Sequence, residues 1–169
     1  RFIDIEASGL HKTSYPIELA WCGLDLAPVS MLVKPLPQWG EDDWDSAAQD
    51  VHGISREELI KNGVDAKLCA VEMAQALDGC IVCSDAPAWD GDWLWKLFSA
   101  VDVRPNWGLY QLEDIQGLCA GFAKPPYTSL RQVVEIIERV GRIYKHTHRA
   151  GDDCLRMAAT ARALIDCDW

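Results

Sequence analysis

The chain has 169 residues, 49% of them hydrophobic, and 26 acidic side chains against 16 Lys and Arg give it a formal net charge of −10. That length suits one domain around one core, expected to span residues 1–169, and no apolar run approaches the roughly 18 residues that cross a bilayer. So acidic a chain is not built to grip nucleic acid along a long footprint, which relies on Lys and Arg, although divalent ions held by carboxylates would reverse the sign locally.

Residues 1–6 read as a strand with Phe2, Asp4 and Glu6 on one face and Ile3 and Ile5 on the other. Ala7 to Leu10 turns away. Residues 17–26 and 29–33 form a hairpin about Ala27-Pro28, which Lys34-Pro35-Leu36-Pro37 ends. Residues 38–50 are expected to be loop with a short helix. Ser55, with Glu58 three residues on, should cap a helix that stops near Gly63. Residues 66–78 have helical spacing and end at Gly79. A short buried strand follows at 81–84, a helix at 91–101 and a strand at 109–115. Residues 129–140 are amphipathic, with Leu130, Val133, Val134, Ile137 and Val140 on one stripe. A last long helix covers 148–165. Strands alternating with helices after a hairpin indicate an α/β domain, a mixed sheet of about five strands flanked by helices.

The seven cysteines are odd in number and scattered through apolar stretches, the usage of a reduced, cytoplasmic compartment. Cys80 and Cys83 have metal-like spacing, but no second pair follows, and positions three apart on a strand face opposite ways. No signal peptide is visible. The chain opens at Arg1 directly on a strand, so its natural N-terminus is expected to lie upstream.

Asp4 and Glu6, two apart on a strand, project from one face. Two like charges that close repel, and burying them costs several kcal/mol without a cation. Hard ions such as Mg²⁺ and Mn²⁺ prefer such oxygens; the competing reading is an exposed edge strand with solvated acids. Asp85, Asp90 and Asp92 cluster where a strand gives way to a helix, and spacing alone does not choose among them, since an acid there also serves as a plain N-cap. His148 and Asp153 are five apart, so they share a site only if His148 sits at the helix start or on the preceding loop. An imidazole there would suit a general base. His146 has no acid at a matching spacing and reads as a surface residue.

Three segments, in order, resemble the exonuclease motifs of the DEDDh 3′–5′ exonucleases, a family that includes ribonuclease T, oligoribonuclease and the proofreading subunit of bacterial DNA polymerase III. They are Phe2-Ile3-Asp4-Ile5-Glu6-Ala7-Ser8-Gly9-Leu10, Trp89-Asp90-Gly91-Asp92-Trp93-Leu94 and His148-x4-Asp153. Val51-His52-Gly53-Ile54-Ser55 is similar to the family's His-Gly-Ile-Thr segment, and the resemblance spans the whole chain. It implies a ribonuclease H-like fold and hydrolysis of single-stranded DNA or RNA from the 3′ end to nucleoside 5′-monophosphates. It also implies two Mg²⁺ or Mn²⁺ ions held by Asp4, Glu6, Asp90 and Asp153, with His148 as general base. Ala7, Ser8, Gly9, Leu10, His52 and Trp89 would bind substrate; Trp93 and Trp44 are further stacking candidates, although such tryptophans are more often core. Asp85, Asp92 and Asp152 would lie behind the ligands or on the surface. A homodimer is one assembly the resemblance implies. The chain departs from the family at Ala7, often Thr or Ser, and at Asp85, often Asn. The alternative is a catalytically silent module of the same fold, against which the intact acid set argues.

Overall fold

The computed structural model describes residues 1–166; Cys167, Asp168 and Trp169, at the end of the span expected to form the domain, lie outside the described residues. The strands are β1 (Phe2–Ala7), β2 (Pro16–Cys22), β3 (Val29–Leu32), β4 (Val82–Ser84) and β5 (Leu109–Gln111). They form one sheet in the order β3-β2-β1-β4-β5. β1–β2 and β2–β3 pair antiparallel, while β1–β4 and β4–β5 pair parallel, so the sheet is mixed, as expected. The helices are α1 (Ser46–His52), α2 (Arg56–Asn62), α3 (Ala66–Ala76), α4 (Pro87–Ala100), α5 (Leu112–Gly121), α6 (Leu130–Ile143) and α7 (Ala150–Asp166).

Alternation along β1 sends Ile3 and Ile5 to one face, where they pack with Met73 and Leu77 from the α3 region and with Leu94, Leu97 and Phe98 of α4. Phe2 faces the other way with Ala20, Cys22 and Cys83, under Ala150, Cys154, Met157, Ala158 and Ala161 of α7. The alanines of α7 let its backbone approach the sheet closely. Every residue of β2 is buried, as a near-continuous apolar run covered on both faces requires. The exception in kind is Glu18, a buried carboxylate in that run.

Several boundaries differ from expectation. β2 stops at Cys22 because Gly23 begins a turn closed by Leu26 N–H to Gly23 O at 3.0 Å. α4 begins at Pro87, with Ala86 as its N-cap, because proline's fixed φ suits the first helical turn. Asp90 and Asp92 therefore lie inside the helix and not at its cap. The expected strand over 109–115 ends at Gln111 and passes directly into α5. On α6, Val133, Ile136 and Val140 pack inward, while Leu130, Val134 and Ile137 are exposed, so the buried stripe is rotated from the one expected. α7 begins at Ala150, leaving His148 in the loop before it.

Candidate metal centre

The acids converge because three elements end at one place. β1 presents Asp4 and Glu6 on the face beneath α7. Its parallel pairing with β4 sets Phe2 against Cys83, so Asp4 stands level with Asp85, one residue past the end of β4. Ser84-Asp85-Ala86 then turns into α4, whose first turn carries Asp90, 2% exposed. The Ser84 hydroxyl donates to Asp90 Oδ2 and accepts Ala86 N–H at 2.9 Å. The first turn of α7 supplies Asp153, also 2% exposed.

Two groups of oxygens result, Asp4 with Glu6 and Asp153, and Asp4 with Asp85 and Asp90, each within 4.8 Å. Asp4 belongs to both. The expected ligands Asp4, Glu6, Asp90 and Asp153 are thus brought together. Asp85, expected to lie behind the ligands or on the surface, instead offers an oxygen to the second group. The reason is the parallel β1–β4 register, which neither strand reveals by itself. Asp92 is exposed, and Asp152 accepts from Thr147 Oγ1 at 2.9 Å; both stand outside the two groups.

Burial and mutual repulsion act on this cluster. Burial first, then Asp90, Glu6, Asp153 and Asp85, pushes Asp4 well above the usual carboxylate range. Burial, with Asp153 and Glu18 adding, lifts Glu6 to about 7, against a smaller opposing pull from Arg149. Asp90 also rises to about 7, chiefly through burial, although the Ser84 hydrogen bond pulls it down. Asp153 accepts through Oδ1 from Thr147 N–H at 3.3 Å, and His146 Nδ1 lies 3.0 Å from the same oxygen. Its Oδ2 is buried without a hydrogen-bond partner. Oxygen donors, an orphaned buried oxygen and acids held partly protonated fit hard divalent cations.

Glu18 was not singled out in the sequence, although an acid inside Ile17-Glu18-Leu19-Ala20 is the signal. It is buried, opposite Glu6 in the β1–β2 register. Arg149 grips it with Nε to Oε2 and Nη2 to Oε1, both at 3.0 Å. Ala150 N–H donates to Oε2 at 3.1 Å, and Ser30 Oγ to Oε1 at 2.6 Å. Burial alone would raise the Glu18 carboxyl, but these donors together hold it below its ordinary value. Glu18 thereby fastens the start of α7, a favourable place for a carboxylate, and with it the position of Asp153.

One of the two histidines differs from expectation. His148 occupies the loop before α7, as its spacing to Asp153 required, with φ at 56°. The imidazole beside Asp153 is that of His146, 3.0 Å from Oδ1, although it was expected to have no acid at a matching spacing. Helical spacing does not apply to it, because residues 146–149 precede α7 and fold back over its first turn.

Among the residues expected to touch substrate, Ser8 is wholly buried. Its hydroxyl donates to Asp43 O at 2.7 Å and accepts Tyr15 N–H at 3.0 Å, and its backbone bonds Tyr15 O and Asp45 N. All its polar groups are engaged, so Ser8 acts as scaffold. Ala7 and Gly9 are also buried, and a Cβ at Gly9 would come within 3.0 Å of Asp45 and His11. Leu10 is 68% exposed. His52 is buried with Nδ1 accepting Ile54 N–H at 3.1 Å, Nε2 unpartnered, and its ring edge-on to Trp44 at 6.1 Å. Trp89 is 46% exposed and stacks on the buried Trp93 at 5.8 Å. Trp93 Nε1 donates to Ser14 Oγ at 3.0 Å. Trp44 donates to Gln49 at 2.9 Å. A cavity of about 590 Å³ lies along the other side of α4, lined by Leu94, Trp95, Phe98 and Trp107, and none of the four expected ligands reaches it.

No family model matches the chain, and no curated protein matches it. Solved structures do. An exonuclease I structure, described as suggesting how processivity is achieved, superposes with a TM-score of 0.68 at 15% identity, over 95% of this chain and 39% of its own. E. coli exonuclease I in complex with a dT13 oligonucleotide gives 0.65 at 17% identity, with the same coverage. The moderately thermophilic exonuclease I from Methylocaldum szegediense gives 0.66 at 18%, again over 95% and 39%. This chain thus spans about two fifths of the structures it resembles. At such identities the likeness establishes the fold, a ribonuclease H-like mixed sheet flanked by helices.

Proposed function

We propose that the protein is a metal-dependent 3′–5′ exonuclease that releases nucleoside 5′-monophosphates from the 3′ ends of single-stranded nucleic acid. The observation that carries this reading is the pair of carboxylate groups hinged on Asp4. Asp4, Glu6 and Asp153 would hold one Mg²⁺ or Mn²⁺ ion, and Asp4 with Asp85 and Asp90 a second. Bound there, the ions supply Lewis acidity to a phosphodiester and to the oxygens that attack and leave it. Asp4 serves both positions and sets them side by side. Ser84 orients Asp90, and the Glu18–Arg149 pair fixes the α7 end that carries Asp153. His148 would take the proton from the attacking water, since it lies on the loop against that end and its imidazole is exposed. Trp89, exposed beside Asp90, would stack on a base, and Leu10 would meet the terminal nucleoside.

Three of the neighbouring exonuclease I structures are described as complexes with single-stranded DNA or with dT13 or dA16, which supports a single-stranded substrate. One is described as a zinc-bound form, which supports a divalent cation. The test is a panel of single-stranded DNA, single-stranded RNA and duplex oligonucleotides, each labelled at the 5′ end, with Mg²⁺, Mn²⁺ or chelator. A ladder shortening from the 3′ end only with metal is expected. Absence of metal-dependent shortening on every substrate would leave a silent module of this fold.

A further inference from the structure

The cleft on the far side of α4 is separate from the carboxylates and has a chemistry of its own. It exists because α4 ends in a reversal. Asp102 takes a left-handed backbone at φ 53°, and Val103 N–H donates back to Phe98 O at 3.0 Å, the bonding of a Schellman cap. Aspartate is one of the few side chains that tolerates such a backbone. The reversal sends residues 103–108 back beside the helix to begin β5 at Leu109. Between the helix and this return lies a gap of about 590 Å³, lined from Gly91, next to Asp90, to Asp102 and Arg104. Small-ligand sites have such volumes, roughly 300–1,000 Å³.

The walls are aromatic. Leu94 and Phe98 are buried, Trp95 is 68% exposed, and Trp107 stands edge-on to Phe98 with ring centroids 5.9 Å apart. Trp89, which the exonuclease reading gives to the substrate at the metal centre, lies about 120° from Trp95 around the helix, so the two indoles serve different surfaces. Two polar groups of the cleft lack partners. Trp107 Nε1 is buried with no hydrogen bond, and a buried donor left unmade is costly enough to call for an acceptor. Arg104 is exposed and enters no ion pair among the described residues.

We propose that this cleft binds a nucleotide. The base would lie against Trp95 and Trp107, whose rings offer a π face to any base, and a ring nitrogen or carbonyl oxygen of the base would accept from Trp107 Nε1. The phosphate would meet Arg104. Asp102, also exposed, only accepts when ionised and so would take a sugar hydroxyl. A purely apolar ligand would leave the indole N–H and Arg104 unused, and an inorganic anion would leave the aromatic walls unused; a nucleotide uses all of them. Its source is either a free nucleoside 5′-monophosphate or a unit within a single strand. That half of the inference rests on the exonuclease reading, which releases the first and consumes the second; the binding itself does not depend on it.

The test is titration in chelator, where the acid cluster holds no cation to attract a phosphate, following the indole ¹H–¹⁵N resonances with Trp107→Phe used for assignment. Adenosine and uridine 5′-monophosphates should shift the Trp107 resonance saturably, with a Kd on the order of 1 mM. Trp95→Ala should weaken binding roughly fivefold or more and Arg104→Gln roughly 3- to 10-fold, and both variants, changed at exposed positions, should melt with the unaltered protein. Adenosine and uridine, which lack the phosphate, should bind the unaltered protein no better than their monophosphates bind Arg104→Gln. A tetranucleotide that binds at least tenfold more tightly than the monophosphates, and loses that margin in Trp95→Ala, identifies the strand as the source; a smaller margin identifies the free nucleotide. No saturable shift of Trp107 with either ligand at tenfold that Kd, nucleosides that bind as well as their monophosphates, or binding unchanged in both variants overturns the proposal. If the unaltered protein shortens no oligonucleotide, the exonuclease reading fails, while these titrations, which need neither metal nor turnover, still decide the cleft.

Discussion

Replacing Asp90 by Asn should make the metal-free protein more stable, by an amount that grows with pH. Asp90 is 2% exposed, and burial is the main cause of its rise from 3.8 to about 7. Below pH 3.8 the carboxyl is neutral in both folded and unfolded chains, and its full contribution to stability is present. Between 3.8 and about 7 the unfolded chain ionises Asp90 while the folded chain resists, so stability is lost, and above 7 the loss is complete. At about 1.4 kcal/mol per pH unit, the rise corresponds to about 4 kcal/mol at pH 8 and roughly 2 kcal/mol at pH 5. An asparagine keeps the shape and an oxygen for the Ser84 hydroxyl, but never ionises. For a chain of this length each kcal/mol moves Tm by about 2–4 °C. Asp90→Asn should therefore melt roughly 8–16 °C above the unaltered protein at pH 8 in chelator, and by less than half that margin at pH 5. Mn²⁺ should narrow or reverse the gap, because a cation at a hundredfold its Kd adds about 2.7 kcal/mol to whichever protein binds it. Differential scanning calorimetry in chelator and in Mn²⁺ at both pH values measures all four terms. A variant that melts no higher than the unaltered protein at pH 8, or a margin independent of pH, would refute the reasoning.

Asp4→Asn should abolish 3′-end shortening and remove both ions from a Mn²⁺ calorimetric titration, whereas Asp153→Asn should abolish shortening while sparing the ion held with Asp85 and Asp90. Asp85→Asn should weaken that second ion roughly tenfold and leave the first in place, since ligand charge count sets affinity at such sites; two equally retained ions would return Asp85 to the surface. Arg149→Ala should cost about 3 kcal/mol in urea denaturation at pH 7, because it leaves the buried Glu18 charge without its main partner. Trp89→Ala should raise KM for single-stranded oligonucleotides with kcat little changed, in line with the roughly 1–3 kcal/mol that stacking on one base contributes.

The alternation in β1 and the order of strands and helices were legible because burial repeats every two residues in a strand and every three or four in a helix. Asp4 and Glu6 could be paired by that rule alone. Asp85 could not be placed, since its company with Asp4 comes from a parallel register between strands nearly 80 residues apart in sequence. Family register separated Asp90 from Asp92, and spacing did not supply where each would point: α4 starts at Pro87, which turns Asp90 inward and Asp92 to solvent. His146 is exposed, as a surface residue should be, but its contact with Asp153 was missed by applying helical spacing to residues that precede the helix. Glu18 was overlooked because an acid in an apolar strand declares its partner only when Arg149 arrives from the far end of the chain.

The charge of the chain sharpens how metal and nucleic acid must act on one another. Arg149, the cation beside Glu6, is already committed to Glu18, and the site otherwise presents carboxylates whose ionisation is resisted by their neighbours. A phosphodiester would add further negative charge to the same place. On the exonuclease reading, the cations must therefore supply most of the attraction for the scissile phosphate. Coupling of that kind is reciprocal: ions that raise the affinity for a 3′ end are themselves held more tightly by it, by the same factor. It also explains why so acidic a protein could work on nucleic acid. A few ions at one end of the sheet would grip a single terminal phosphate, where a basic groove would grip many.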